Sequence, residues 1–180
     1  MPRMLGWFQL GSTTTLEDIE WLLARAAGFD AGFALSTSLA ELKKHGRMDL
    51  LLQTVAEWEK ARLSGAFQST QKDALRDINK EFHLSKVDDR NWDLFPVNNV
   101  VIQHQQKIRQ PGEPVYSDYS FNNPFDEQPL QFVAHITGGS SSASWEQPSV
   151  EINNYAKLEI PFTVAKGQWL VCNGKQVILY

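Results

Sequence analysis

The hydrophobic pattern of this 180-residue chain changes its period near Phe95-Pro96-Val97, and this change constrains the fold more than any other feature. Before it, short apolar runs alternate with segments whose apolar residues recur every three or four positions, which is typical of parallel βα units. After it, apolar and polar residues alternate, which is typical of half-buried antiparallel strands. The sequence therefore predicts an α/β part over residues 1–96 and an all-β part over residues 97–180.

The α/β part begins with a strand, a helix and a second strand. The apolar runs Met4–Leu10 and Ala31–Ser36 predict the two strands, the second of them buried on both faces. Thr14 and Glu17 have the spacing of a capping box at the start of the intervening helix. Gly28 follows the last apolar positions of that helix and predicts its end.

Further helices complete the α/β part. Ser38 and Glu41 repeat the capping-box spacing and predict a helical hairpin that is broken at Gly46. The hairpin resumes from Met48 to about Leu63, and an extra helix is predicted over Gln71–Phe82. The order βαβα plus an extra helix indicates a segment of a parallel α/β domain.

The all-β part is punctuated by Pro and Gly and is rich in Asn and Gln. Its clearest alternating stretches are Val100–Ile108, Leu130–Ile136 and Leu158–Val164. This pattern predicts an antiparallel β-sandwich.

Composition and motifs exclude several classes of function. The net charge is −4 and no basic stripe is visible, so nucleic acid is not an expected partner. No apolar run approaches the roughly 18–20 residues of a membrane span. The single Cys172 excludes an intrachain disulfide and a zinc site built from several cysteines. No phosphate-binding or dinucleotide-binding loop is present, so no cofactor is expected, and the four scattered histidines do not predict a metal site.

Three segments resemble the last two βα units of a (β/α)8 barrel: Met4–Phe8, Leu16–Ala24 and Ala27–Phe33. The whole chain resembles the C-terminal part of bacterial glycoside-hydrolase-like proteins, whose barrel is followed by a galactose-binding-like, jelly-roll β-sandwich. The resemblance implies that Met4–Leu10 is strand seven of the barrel and that Ala31–Ser36 is strand eight. It also implies a fragment of a periplasmic or secreted parent protein, although this chain carries no signal peptide.

The resemblance directs attention to Trp7 and Gln9 in the first half. An aromatic ring near the carboxyl end of a barrel strand is a platform for the apolar face of a sugar, and Gln9 would hydrogen-bond a hydroxyl group. The alternative is that Trp7 packs inside the domain. Glycoside hydrolysis needs two carboxylates, and neither predicted strand ends in one, so no catalytic residue is assigned.

The second half offers two aromatic, amide-rich loops. One is Gly138–Pro148, which carries Trp145, and the other is Tyr116–Phe125, which carries Tyr119 and Asn122. Aromatic faces combined with amide groups are typical of carbohydrate sites. The alternative is that these aromatic residues cover the ends of the core.

Other polar groups have structural interpretations. Glu17, Asp18 and Glu20 fit the first turn of a helix, where carboxylates complement the helix dipole. His104 and His135 are predicted to lie within strands and to approach one another across a sheet.

The expected function is that of a C-terminal fragment of a carbohydrate-active protein, with the sandwich as an ancillary or carbohydrate-binding domain and no catalysis by the chain alone. The alternative is a stand-alone, non-enzymatic binding or scaffolding protein. The two apolar strands discriminate between these hypotheses. A parallel pair favours the barrel, and an antiparallel ribbon closed by helices favours the stand-alone protein.

Overall fold

The computed structural model describes residues 3–105, 110–113, 117–146, 148–152, 156–174 and 176–180. The chain divides into two compact units, Met1–Asp126 (unit 1) and Glu127–Tyr180 (unit 2). This division lies further along the chain than the change of hydrophobic pattern at Phe95–Val97. The elements of unit 1 are β1 (Arg3–Gln9), α1 (Leu16–Phe29), β2 (Ala31–Ser36), α2 (Leu39–Lys44), α3 (Met48–Leu63), α4 (Ser69–Leu75), β3 (Glu81–Lys86) and β4 (Trp92–Val97).

Unit 1 begins with a parallel pair of strands. β1 and β2 are joined by α1 and pair in parallel, with Arg3 opposite Ala31 and Gln9 opposite Ser36. The register shifts between Met4 and Trp7, where Gly6 adopts a φ of 120° that favours glycine. Among the described residues, neither strand has a second neighbour. The predicted strand–helix–strand order is confirmed, and so is the helix from Met48 to Leu63.

The capping box of α1 lies one residue later than predicted. The Thr15 hydroxyl accepts from the Asp18 amide at 3.1 Å, and the Asp18 carboxylate accepts from the Thr15 amide at 2.9 Å. The predicted pair of Thr14 and Glu17 is therefore wrong. Thr14 is buried, and its hydroxyl accepts from the Gly11 amide instead, closing the turn between β1 and α1.

The end of α1 also differs from the prediction. Gly28 lies within the helix, and Asp30 forms the C-cap with a left-handed φ of 49°. A Cβ atom at Gly28 would lie 2.9 Å from the Arg76 amide nitrogen and 2.9 Å from the Leu75 carbonyl carbon. Glycine is required here because α4 passes directly over the backbone of α1, and not because the helix stops.

The core of unit 1 joins the helices to the hairpin formed by β3 and β4. Trp58 of α3 is 1% exposed and stacks on Phe67, with ring centroids 5.8 Å apart. The other buried members of this core are Leu10, Ile19, Leu23, Ala24, Ala27, Leu51, Ala61, Leu75, Phe82 and Leu84.

Two predicted elements of the middle of the chain are wrong. The predicted helix Gln71–Phe82 ends at Leu75, and Glu81–Lys86 forms β3, which pairs antiparallel with β4. Asp77 ends the helical pattern because its carboxylate accepts from the Asn79 amide and its carbonyl accepts from the Lys80 amide. The predicted strand at Val100–Ile108 is not formed: residues 98–105 have irregular, exposed backbone, and Gln106 and Ile108 lie outside the described residues.

Unit 2 consists of small antiparallel sheets. Its strands are β5 (Gln131–His135), β6 (Ser144–Trp145), β7 (Ser149–Ile152), β8 (Ala156–Glu159), β9 (Val164–Ala165), β10 (Trp169–Asn173) and β11 (Val177–Leu179). β10 lies between β5 and β11, while β6 pairs with β9 and β7 with β8. Its core contains Ile160, Val164 and Leu170.

The architecture is therefore mixed, with helices and a parallel pair in unit 1 and antiparallel sheets in both units. The described residues contain no closed barrel. No helix in the described part of the chain is long and apolar enough to cross a bilayer.

Candidate functional site

A groove of about 320 Å³ opens in unit 1 beside β1. Residues Leu5–Phe8 of β1 form one wall and α1 forms the other, with Ile78 from the turn that follows α4. The α1 residues that line it are Trp21, Leu22, Arg25 and Phe29. Most of these side chains are apolar or aromatic, as in many small-molecule sites.

Trp7 is the most exposed large side chain of this groove. It is 78% exposed, and the residue opposite it on β2 is Ala34, whose methyl group is too small to cover an indole ring. Leu5 and Ile78 are also exposed. An uncovered indole ring among apolar neighbours offers a flat surface for a ligand.

Trp21 and Arg25 fix the wall that α1 contributes. The Trp21 indole nitrogen donates to the Ile78 carbonyl at 3.1 Å, and the Arg25 guanidinium lies 4.8 Å from the centroid of the Trp21 ring. Arg25 Nη2 donates to the carbonyls of Asp77 and Lys80, each at 2.5 Å. These bonds hold the turn after α4 against α1, and this contact forms one side of the groove.

Burial affects the pKa of Arg25. The residue is buried in unit 1 beside the groove and is only 3% exposed. Desolvation lowers the pKa of the guanidinium from its ordinary value, and the charges of Asp77 and Glu81 partly offset this effect. Nothing in the local sequence pattern separates Arg25 from a surface arginine of an amphipathic helix, so its burial is evident only in the structure.

The carboxyl ends of β1 and β2 lie beside a carboxylate that neither strand supplies. Glu41 of α2 accepts from the Ser12 amide at 2.6 Å, which places it at the loop that follows β1. Hydrogen bonds from the Ser12 side chain and backbone lower the pKa of the Glu41 carboxyl. Gln9 is exposed at this end of β1 and is not among the residues that line the groove.

The remaining predicted site residues lie elsewhere. Tyr119 belongs to an irregular segment of unit 1, where its hydroxyl lies 2.5 Å from His104 Nδ1. Asn122 is exposed in the same segment, and Tyr116 lies outside the described residues. Trp145 belongs to β6 of unit 2 and is 36% exposed.

The predicted placement of the histidines holds for one of the two. His135 lies in β5 as predicted and stacks on Trp169 with centroids 3.8 Å apart. His104 lies in irregular backbone, so the strand predicted for it is wrong, and with it the sheet across which it was expected to face His135. Within the described residues, no three His, Cys, Asp or Glu side chains form a group that could hold a metal ion.

A buried polar network was missed. The Glu20 carboxylate accepts from Trp58 Nε1 at 3.1 Å, His83 Nδ1 at 2.9 Å and the Leu84 amide at 3.2 Å. Glu20 therefore joins α1 to α3 and β3, whereas the sequence predicted a carboxylate of the first helical turn that complements the helix dipole. The only local signal was its helical spacing from Leu16 and Leu23, which puts it on the buried side.

Comparisons with known proteins give no match to a family model, to a curated protein or to a solved structure. Function is therefore inferred from the geometry and chemistry of the groove. Its defining features are the exposed Trp7, the aromatic wall of α1 and the buried charge of Arg25.

Proposed function

We propose that this chain is part of a carbohydrate-active, glycoside-hydrolase-like protein and that the groove beside Trp7 binds a sugar. In this proposal unit 1 contributes two βα units of a (β/α)8 barrel, and unit 2 is an ancillary β-sandwich domain of the galactose-binding-like kind. The parent protein is proposed to be periplasmic or secreted. The exposure of Trp7 beside an aromatic groove carries the proposal.

The pairing of β1 with β2 supports the barrel over the stand-alone alternative. The two strands are parallel, are joined by a helix and have no second neighbour among the described residues. Parallel strands are normally found inside larger sheets whose faces are covered. A self-sufficient adaptor was expected to close an antiparallel ribbon with its helices.

The chemistry of the groove supports a sugar as the ligand. The C–H face of a pyranose ring is apolar and packs on aromatic rings, and Trp7, Trp21 and Phe29 all line the groove. Binding is the role assigned to these residues. No catalytic residue is assigned, because two carboxylates across a scissile bond would be required.

A glycan-array screen of the purified chain tests this proposal. Wild-type protein is compared with Trp7→Ala, with Trp145→Ala and with Leu63→Ala as a matched control. Leu63 is 73% exposed, similar to Trp7, and it does not line the groove. We expect glycan binding that falls at least about tenfold in Trp7→Ala, which corresponds to a loss of about 1.4 kcal/mol of binding free energy when the sugar loses its contact with the indole ring.

The other variants locate the site. Leu63→Ala and Trp145→Ala are expected to bind as the wild type does. Loss of binding in Trp145→Ala alone would assign the sugar site to unit 2 and contradict its proposed location in the groove. Silence across the array, or binding indifferent to Trp7, would also contradict the proposal.

A further inference from the structure

Arg25 brings to the groove a guanidinium whose hydrogen-bond donors are only partly satisfied by the described residues. Of the described residues that line the groove, Arg25 alone carries a charge. It is 3% exposed. Nη2 is matched by two backbone carbonyls, while Nε and Nη1 have no hydrogen-bond acceptor among the described residues. A buried guanidinium has five N–H donors and is normally satisfied by acceptors or by a carboxylate.

The neighbours of Arg25 do not supply that carboxylate by contact. Asp77 meets Arg25 through its backbone carbonyl, and its own carboxylate lies near Lys80, 3.7 Å from the ammonium nitrogen. Glu81 influences Arg25 by charge alone. Trp21 covers one face of the guanidinium with its ring. The charge therefore lies in a poorly solvated region, where water and salt screen it weakly.

We infer that the groove is selective for a sugar that carries a carboxylate, that is, a uronic acid unit, and this inference rests on the proposed sugar binding. Nε and Nη1 of Arg25 have no acceptor among the described residues, and a carboxylate is the acceptor that a guanidinium binds most strongly; a uronate supplies one and a neutral sugar does not. The aromatic wall binds the pyranose face while the field of Arg25 favours the anion. The volume of about 320 Å³ lies at the small end of ligand sites, which suits one or two sugar rings.

The test changes the ligand and leaves the fold untouched. Oligogalacturonate, oligoglucuronate and oligomannuronate are each titrated against the wild-type chain beside their methyl esters, which keep the ring and remove the charge. At low salt we expect one of the free acids to bind about tenfold or more tightly than its ester. The difference is expected to narrow only modestly in 0.5 M NaCl, because the cation is buried.

Variants test whether the preference for the acid over its ester arises in the groove. Trp7→Ala is expected to weaken the binding of the acid and of the ester alike. Arg25→Met is expected to remove the preference for the acid, and Arg25→Lys to retain part of it. Circular dichroism checks that both Arg25 variants fold, and the comparison of acid with ester in the wild type stands without them.

The outcomes separate the two claims. If binding requires Trp7 but is equally tight for the acid and its ester, the inference about charge is overturned and the proposed sugar binding stands. The same holds if neutral glycans bind as tightly as the acid. Binding of the acid that is as tight in Trp7→Ala as in the wild type overturns the inference, since the anion then binds elsewhere. No binding by acids, esters or neutral glycans overturns both.

Discussion

Glu20 holds three elements of unit 1 together through a single carboxylate. Its donors are Trp58 of α3 and His83 and Leu84 of β3, and its side chain is only 7% exposed. Burying a carboxylate is costly unless it is fully hydrogen-bonded, and leaving its donors unmatched is costly as well. Glu20 therefore acts in the structure of unit 1, which is the platform for the groove.

Glu20→Ala is expected to lower the free energy of unfolding by about 3 kcal/mol, since three buried donors lose their acceptor. Glu20→Gln is expected to cost less, because its oxygen still accepts and His83 can switch to the tautomer that accepts from the amide. Urea unfolding followed by tryptophan fluorescence measures both. Glu17→Ala, on the same helix outside this network, should change stability by less than about 1 kcal/mol. Equal losses for Glu17→Ala and Glu20→Ala would contradict the role given to the network.

At the scale of elements, the contact of α1 with α4 depends on a glycine, which has no side chain to separate the two backbones. Gly28 allows the backbone around Leu75 and Arg76 to approach α1, and the Arg76 Nε donates to the Gly28 carbonyl at 2.7 Å. The same contact positions the turn that carries Ile78 and receives the hydrogen bonds of Arg25. The geometry of the groove thus follows from the packing of these two helices.

Gly28→Ala is expected to lower the free energy of unfolding by about 1–3 kcal/mol through overpacking, although alanine has the higher helix propensity. Thermal and urea unfolding report the loss. Gly32→Ala is the matched control, because a Cβ there would meet only the Arg3 carbonyl oxygen at 3.9 Å. A stabilised Gly28→Ala would mean that propensity outweighs the close approach and that the helices are free to separate.

Local patterns predicted the elements that local interactions determine. β1, β2, α1 and α3 follow from apolar runs and helical spacing, and Trp7 was recognised as an aromatic residue on a strand. The helix predicted over 71–82 fails because apolar residues continue at helical spacing past Asp77, while hydrogen bonds within the turn and contacts of β3 with β4 and Glu20 determine the fold there.

The second wall of the groove lay beyond such patterns for a similar reason. Arg25 and Trp21 meet Asp77, Ile78 and Lys80 across more than fifty residues of sequence. No periodicity within one segment reports a contact of that range. The sequence therefore predicted one residue of the candidate site, and the structure supplied its neighbours.

At the scale of the whole molecule, each unit presents a different candidate surface. Unit 1 presents an open parallel pair with Trp7 and the groove, and unit 2 presents Trp145 on the short strand β6. The central claim is that the sugar binds to unit 1, where aromatic rings and a buried cation meet. Unit 2 is assigned an ancillary role.

Hydrogen–deuterium exchange of the wild-type chain, with and without a glycan at saturating concentration, tests this claim most directly. The glycans are the free-acid oligosaccharides and any ligand that the array identifies. We predict slower exchange in peptides covering Arg3–Gln9 and Leu16–Phe29, with peptides of unit 2 unchanged. Protection confined to peptides around Trp145 or Tyr119, or no protection by any of these glycans, would contradict the account.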